Sequence, residues 1–489
     1  VRPQAALLLI EVLALVAFLG LAGGLVYQQQ RAPQLVPLDI KALAAGVSQE
    51  QWYGIFLQDQ HIGYSLSRRT PTADGGALLE GRARFRMLML GKLHDVVVAE
   101  AALVDATGNL SRFDFFLVAG NHKVSIAGVA RDTEISIDVL QGGEVSHISL
   151  PIAEKPQITL TVENLLRSRT LAAGEQFTVP IFNPLTLGSG QMTLTVREVE
   201  MLENGEEAWW VHTELDGSEG RQLVLPSGEV LREESALFSR VRMTAEAAQD
   251  LPKNDDPVDI ISETSVPIDK PVKGARDLAR FEAQVRGVDP ERVPHSPPLQ
   301  LREGDALVVT RADLSALPSL PIEDRSEPRW VDPTPSLPAA HPELRERAQE
   351  VIGDAPDRLE AVRRLNTFVF EYLDKVPTIS VPNGLAVLRS GEGDCNEHTA
   401  LFVSLARAAG IPARTVAGVV YSERVTAKGG FYYHAWPEVR LGGEADWIPL
   451  DPTFGQLPAD ATHVKLIEGE LDRQVEIMSV MGRLAFGAR

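Results

Sequence analysis

The chain of 489 residues contains a single cysteine, Cys395. One thiol forms no intrachain disulfide and no cysteine-based zinc site, so it is either an inert core side chain or a nucleophile. Positive charge is also scarce: 47 Lys and Arg stand against 67 Asp and Glu, a balance of −20 with no basic block. That argues against nucleic acid as a partner. Strict repeats and low-complexity tracts are missing, and 44% apolar with 23% charged residues exclude a disordered chain. After the first 30 residues no stretch is apolar enough to span a membrane.

One such stretch does exist. Ala5 to Tyr27 carries a single charge, Glu11, and as a helix it would reach roughly 34 Å, enough to cross the hydrocarbon layer. It has no clear small-residue exit of the kind a cleaved signal peptide shows. The expectation is a transmembrane helix over 5–27 acting as a signal anchor. The protein would then be single-pass in the inner, or cytoplasmic, membrane with its bulk extracytoplasmic, in the periplasm of a Gram-negative cell. Gly20 and Gly24, extended by Ala17, make a G-x-x-x-G step that allows close helix approach, a contact for a membrane protein partner. Glu11 lies about 180° around the helix from Gly20, so it would need a separate neighbour or headgroup water.

The remainder predicts an α+β protein. Residues 50–250 read as an antiparallel β-rich domain, with alternation in Lys123–Ile126, Glu134–Val139 and Gln191–Val196 and recurrent turn signals. A smaller β-rich module over 257–316 follows the Leu251–Pro257 boundary. Residues 317–342 hold seven prolines in Leu317–Pro342, which suits an extended strap. Helical stripes then begin, Leu344, Ala348, Val351 and Ile352 on one helix and Leu359, Val362, Leu365 and Val369 on the next, opening the domain assigned to 343–489.

Within that domain Cys395 follows Asp394, a natural N-cap with Glu397 three residues on, and the run closes at Gly410-Ile-Pro412. Cys395 is thus expected in a first helical turn, where free N–H groups and the dipole favour a thiolate. Phe431–Arg440 reads as a strand with Tyr432, His434 and Trp436 on one face. The next strand, from Trp447, ends at Asp451, which an antiparallel pairing would bring beside His434 to fix its tautomer. Tyr432, Tyr433 and Trp436 read as core or cleft wall rather than as specific substrate readers. His398 sits on the Cys395 side of the helix and is read as packing or hydrogen-bonding beneath the site. The other histidines, His463 among them, show no metal-ligand spacing, so no metal and no cofactor are expected.

Four stretches carry a resemblance: Gly393–Leu401, Arg407–Arg414, Tyr433–Trp436 and Trp447–Thr453. They are similar to the transglutaminase-like superfamily over about a quarter of the chain, Pro342 to Leu466. The resemblance implies a papain-like core in which a helix carrying Cys395 packs on an antiparallel sheet carrying His434 and Asp451. It also implies Cys395 as nucleophile, His434 as general base and acid, and Asp451 as orienting carboxylate. The function expected is acyl transfer from amide bonds of a protein or peptide substrate through a Cys395 thioester. The rival is an accessory or scaffold subunit of a membrane complex whose β-domain binds a lipid, peptide or protein.

Overall fold

The structure, a computed structural model, describes residues 46–488 apart from 121, 159–165, 167–170, 216, 253–256, 379, 427 and 444–445. The stretch 5–27, with Glu11, Gly20 and Gly24, lies outside the described residues. Among the described residues no helix is long and apolar enough to cross a membrane. The protein is β-rich with few helices.

A sheet of 15 strands occupies residues 49–243. Its middle strand, Gln49–Leu57, pairs with Gln60–Pro71 on one side and with Phe238–Met243 on the other. One wing runs outward by successive hairpins to Glu144–Pro151; the other returns from Gln157–Ile158 to Phe238–Met243. Strict alternation drives this architecture. Leu117, Val124, Ile126, Ile137 and Val139 all turn to one buried face because strand side chains alternate. The wings curl towards each other: the Phe113 and Phe182 rings, far apart in strand order, meet at 5.1 Å.

A second, four-stranded sheet joins Arg280–Arg286, Gln300–Glu303 and Ala306–Thr310 to Ala485–Ala488, so the C-terminal segment returns to complete it. Its core, including Phe281, Ala283 and Leu307, is continuous with Val419, Tyr421 and Phe431 of the sheet that carries the site.

The proline-rich segment is extended, broken by short 3-10 turns such as Pro328–Trp330. Buried Arg440 ties it down, reaching Asp324 at 2.7 Å and Glu327 at 2.6 Å. Against burial, Ser326 and Arg440 hold the Asp324 carboxyl down at about 2. Helices Pro342–Ile352, Arg358–Tyr372 and Gly384–Ser390 then surround Cys395–Ala408. Leu344, Val362, Leu365 and Val369 share a core with Leu401, Phe402 and Leu405. This core extends to Val439 and Ile448 on a four-stranded antiparallel sheet whose order is Trp447–Pro449, Gly430–Arg440, Ala413–Ser422, Val464–Glu468.

Candidate active site

Cys395 is the first residue of its helix. Asp394 caps the helix, accepting from the Asn396 N–H at 3.1 Å, and Glu397 accepts from the Asp394 N–H at 3.0 Å. Glu397 is further held by the Thr378 hydroxyl at 2.7 Å and by Ser380. The loop bearing those hydroxyls also reaches the large sheet, where the Gln141 side chain donates to the Val381 carbonyl at 2.5 Å. The helix start is therefore braced by polar contacts from outside its own helix.

The Ala435 backbone N–H acts on the Cys395 thiol in favour of its anion, which places the thiol near the strand that carries His434. His434 Nε2 lies 2.8 Å from Asp451 Oδ2, and both side chains are buried. With Nε2 committed to Asp451, Nδ1 is the ring nitrogen left to take the thiol proton. Asp451 is fixed from its other oxygen as well: Oδ1 accepts from the backbone N–H of Thr453 at 2.7 Å and of Phe454 at 3.2 Å. Register explains the meeting. Glu438 pairs with Pro449 and the Leu450 N–H donates to the Pro437 carbonyl, so Asp451 emerges beside the His434 strand.

The thiol departs from expectation. Burial and the charges of Asp394, Glu397 and Asp451 push it well above the ordinary thiol range, outweighing the helix-start environment and the Ala435 N–H. A thiol so raised gives up its proton only to a base. The neighbouring Tyr432 phenol is also pushed up, by burial and then by Cys395 and Asp451.

Tyr432 and Trp436 flank the imidazole, with ring centroids 5.7 and 6.2 Å from His434. Tyr433 points the other way and packs into the core shared with the second sheet, so it is no cleft wall. His398 is fully buried, its Nδ1 lying 2.6 Å from the Asp394 carbonyl. Burial lowers its affinity for a proton, and it supports the cap rather than joining His434 and Asp451.

Four contributors are not marked in the sequence. Phe454 stacks on the His434 ring at 5.1 Å with 9° between planes, shielding the bond to Asp451 from water. His463 Nε2 lies 3.0 Å from the same Asp451 oxygen that His434 contacts. Asp460 stands behind His463 and is paired at 2.8 Å with Arg276, whose guanidinium covers the Phe454 ring at 4.5 Å. Phe454 had a faint signal in its nearness to Asp451; His463 had only its spacing from Asp460, and Arg276 had none. Against burial, His434 and His463 hold the Asp451 carboxyl far below the usual range. His434, Asp451 and His463 bring ligand atoms within 4.8 Å of one another. Both imidazole nitrogens are spent on one carboxylate oxygen at hydrogen-bond distance, so a cation there would have to displace two hydrogen bonds.

A thiol, an imidazole and a carboxylate so arranged form a site for nucleophilic attack on a carbonyl carbon. Residues 345–452 match the model of the transglutaminase-like superfamily, so the chain carries a transglutaminase-like domain. No curated protein matches the chain. Among solved structures, a β-barrel-like protein of a domain of unknown function from Brucella abortus is 14% identical, with a TM-score of 0.32, over 40% of this chain and 94% of its own. A protein from Cytophaga hutchinsonii, provisionally described as a cysteine protease, is 14% identical with a TM-score of 0.28, over 43% and 84%. One from Parabacteroides distasonis, provisionally described as a protease, is 11% identical with a TM-score of 0.19, over 78% and 70%. At such TM-scores none of these likenesses carries an argument about function.

Proposed function

We propose that the protein is a cysteine enzyme that cleaves or transfers amide bonds through a thioester on Cys395. The observation that carries this reading is the shared geometry of the thiol at the Ala435 N–H and the His434–Asp451 pair next to it. His434 takes the thiol proton as sulfur bonds to the carbonyl carbon. The Cys395 backbone N–H, free in the first helical turn, is the candidate donor to the developing oxyanion. The tetrahedral adduct collapses to the thioester as His434 returns the proton to the departing amine. An amine or water then attacks, gives its proton to His434, and regenerates the thiol. The flanking rings of Trp436 and Phe454 favour a dry imidazole and support an amine as acceptor.

The test is mass spectrometry of the intact protein after exposure to peptide amide donors. A covalent acyl adduct on Cys395 is expected, absent in Cys395→Ala, and resolved by primary amine into amide. Resolution to free acid alone across millimolar amine would make the enzyme a hydrolase. No adduct with any donor, while Cys395 still alkylates, would favour the scaffold reading.

The proposal includes a membrane anchor at residues 5–27 and an extracytoplasmic site. With Cys395→Ser and a new thiol at the exposed turn residue Asn204, an impermeant maleimide should label cells whose inner membrane is intact. Labelling only after that membrane is broken would place the site in the cytoplasm.

A further inference from the structure

We propose that His463 is a positioning residue that compensates the charge of Asp451, and so limits how readily His434 draws the thiol proton. The inference rests on Cys395 being the nucleophile and concerns how its base is tuned. Asp451 Oδ2 receives two imidazoles, His434 at 2.8 Å and His463 at 3.0 Å, while Oδ1 is occupied by backbone donors. The two histidines are not equivalent. His434 faces one carboxylate, whereas His463 lies between two, with Nδ1 3.1 Å from the Asp460 carbonyl and 3.5 Å from its Oδ1.

An imidazole between two carboxylates holds a proton, and despite its burial His463 is pushed up to about 9. The remaining charges around it are accounted for. Arg276 pairs with Asp460; Lys465, Arg414 and Glu438 share with His463 the lining of a cavity of about 180 Å³, and there Glu438 is reached by Lys465 at 3.2 Å and by Arg414 at 2.6 Å, Arg414 also reaching Glu468 at 2.6 Å. The proton on His463 is therefore the charge that faces Asp451 from behind.

Its consequence follows from distance. A carboxylate with one imidazole partner strongly favours that imidazole as a cation, whereas one already matched by a cation does so far less. Taking the charge from His463 uncovers Asp451. His434, directly hydrogen-bonded to Asp451, gains more from this than Cys395 loses, because Asp451 acts on the thiol only through space. The thiol proton then moves to His434 more readily.

The experiment is the rate of Cys395 alkylation by iodoacetamide between pH 5 and 8, in the full chain. His463→Gln keeps an N–H donor but removes the charge. Transfer of the thiol proton to His434 releases no proton from the site, so the gain is read as a rate, roughly ten-fold faster at about pH 7.5, while the rising limb, which does release a proton, does not move to lower pH. Asp460→Asn, which leaves the His463 side chain in place but weakens its hold on the proton, should raise the rate at the same pH by less. A folded His463→Gln protein whose rate at about pH 7.5 is unchanged or lower overturns the proposal. If that variant does not fold, an unchanged rate in Asp460→Asn does so instead. Alkylation needs no acyl donor, so this result stands apart from whether an acyl-enzyme forms.

Discussion

Asp451→Ala should lower folding stability by about 3–5 kcal/mol and reduce acyl-enzyme formation by on the order of 10²–10⁴. The stability loss arises because Asp451 is fully buried and accepts four hydrogen bonds, from His434, His463, Thr453 and Phe454. Removing it leaves a protonated His463 with half its compensation and two backbone donors without an acceptor, inside the protein. The rate loss arises because, among the described residues, no other hydrogen bond holds the His434 ring with Nε2 inward and Nδ1 available. Asp451→Asn keeps one acceptor oxygen and should recover part of the stability but little of the rate, since its amide cannot match an imidazolium. Urea denaturation and single-turnover acylation separate the two effects. An Asp451→Ala protein as stable as the parent would mean that the four donors are satisfied by water, and that the site is open where the structure closes it.

How much of this was legible depended on how local each interaction is. The cap of the Cys395 helix could be read because Asp394 and Glu397 are three residues apart and satisfy the same orphan N–H groups in any context. The stop at Gly410 is local too, since its φ of +77° suits glycine. Period-two alternation placed Tyr432, His434 and Trp436 on one face; applied to Tyr433, the same rule sends it to the other, where the second sheet lies. Alternation also announced a long meander, but neither the pairing of Gln49–Leu57 with Phe238–Met243 nor the curl that joins Phe113 to Phe182. Those contacts depend on the summed twist of many strands.

The thiol shows where local reasoning misleads. Helix-start N–H groups favour a thiolate, and they are visible in sequence. The carboxylates of Asp394 and Glu397 are visible there too, but capping spacing does not show that they face the thiol, and Asp451 arrives through tertiary structure. His463 was invisible for a related reason: its contact is created by the return of the chain to the Val464–Glu468 strand beside Ala413–Ser422. Arg276 comes from still further, from the segment preceding the second sheet, which thereby takes part in the site through Asp460 and Phe454.

Stability should fall as pH rises from about 6.5 to 9, and most of that fall should disappear in His463→Gln. In the fold His463 is pushed up to about 9, against an ordinary value near 6.5 in the unfolded chain. The folded state therefore binds more protons than the unfolded state across this window, and stability must decrease with pH there. The contribution is complete below 6.5, is lost on passing 9, and amounts to about 3 kcal/mol. Other groups act with the same sign, among them Asp394 and Glu470, both raised chiefly by burial. Glu100, pushed up to about 7 by burial, contributes a fall between about 4.5 and 7. The raised Cys395 thiol contributes one above about 8.5. Urea titrations at pH 6.5, 7.5 and 8.5 in a Cys395→Ala background, with and without His463→Gln, leave His463 as the difference. Asp451 and Asp460, both held low by His463 with its partners, lose their contributions only on acidification and do not enter this window. If the two proteins lose stability in parallel from pH 6.5 to 8.5, His463 carries no proton in the fold. Asp451 would then have no compensating cation behind it, and the charge argument for His463 would fall.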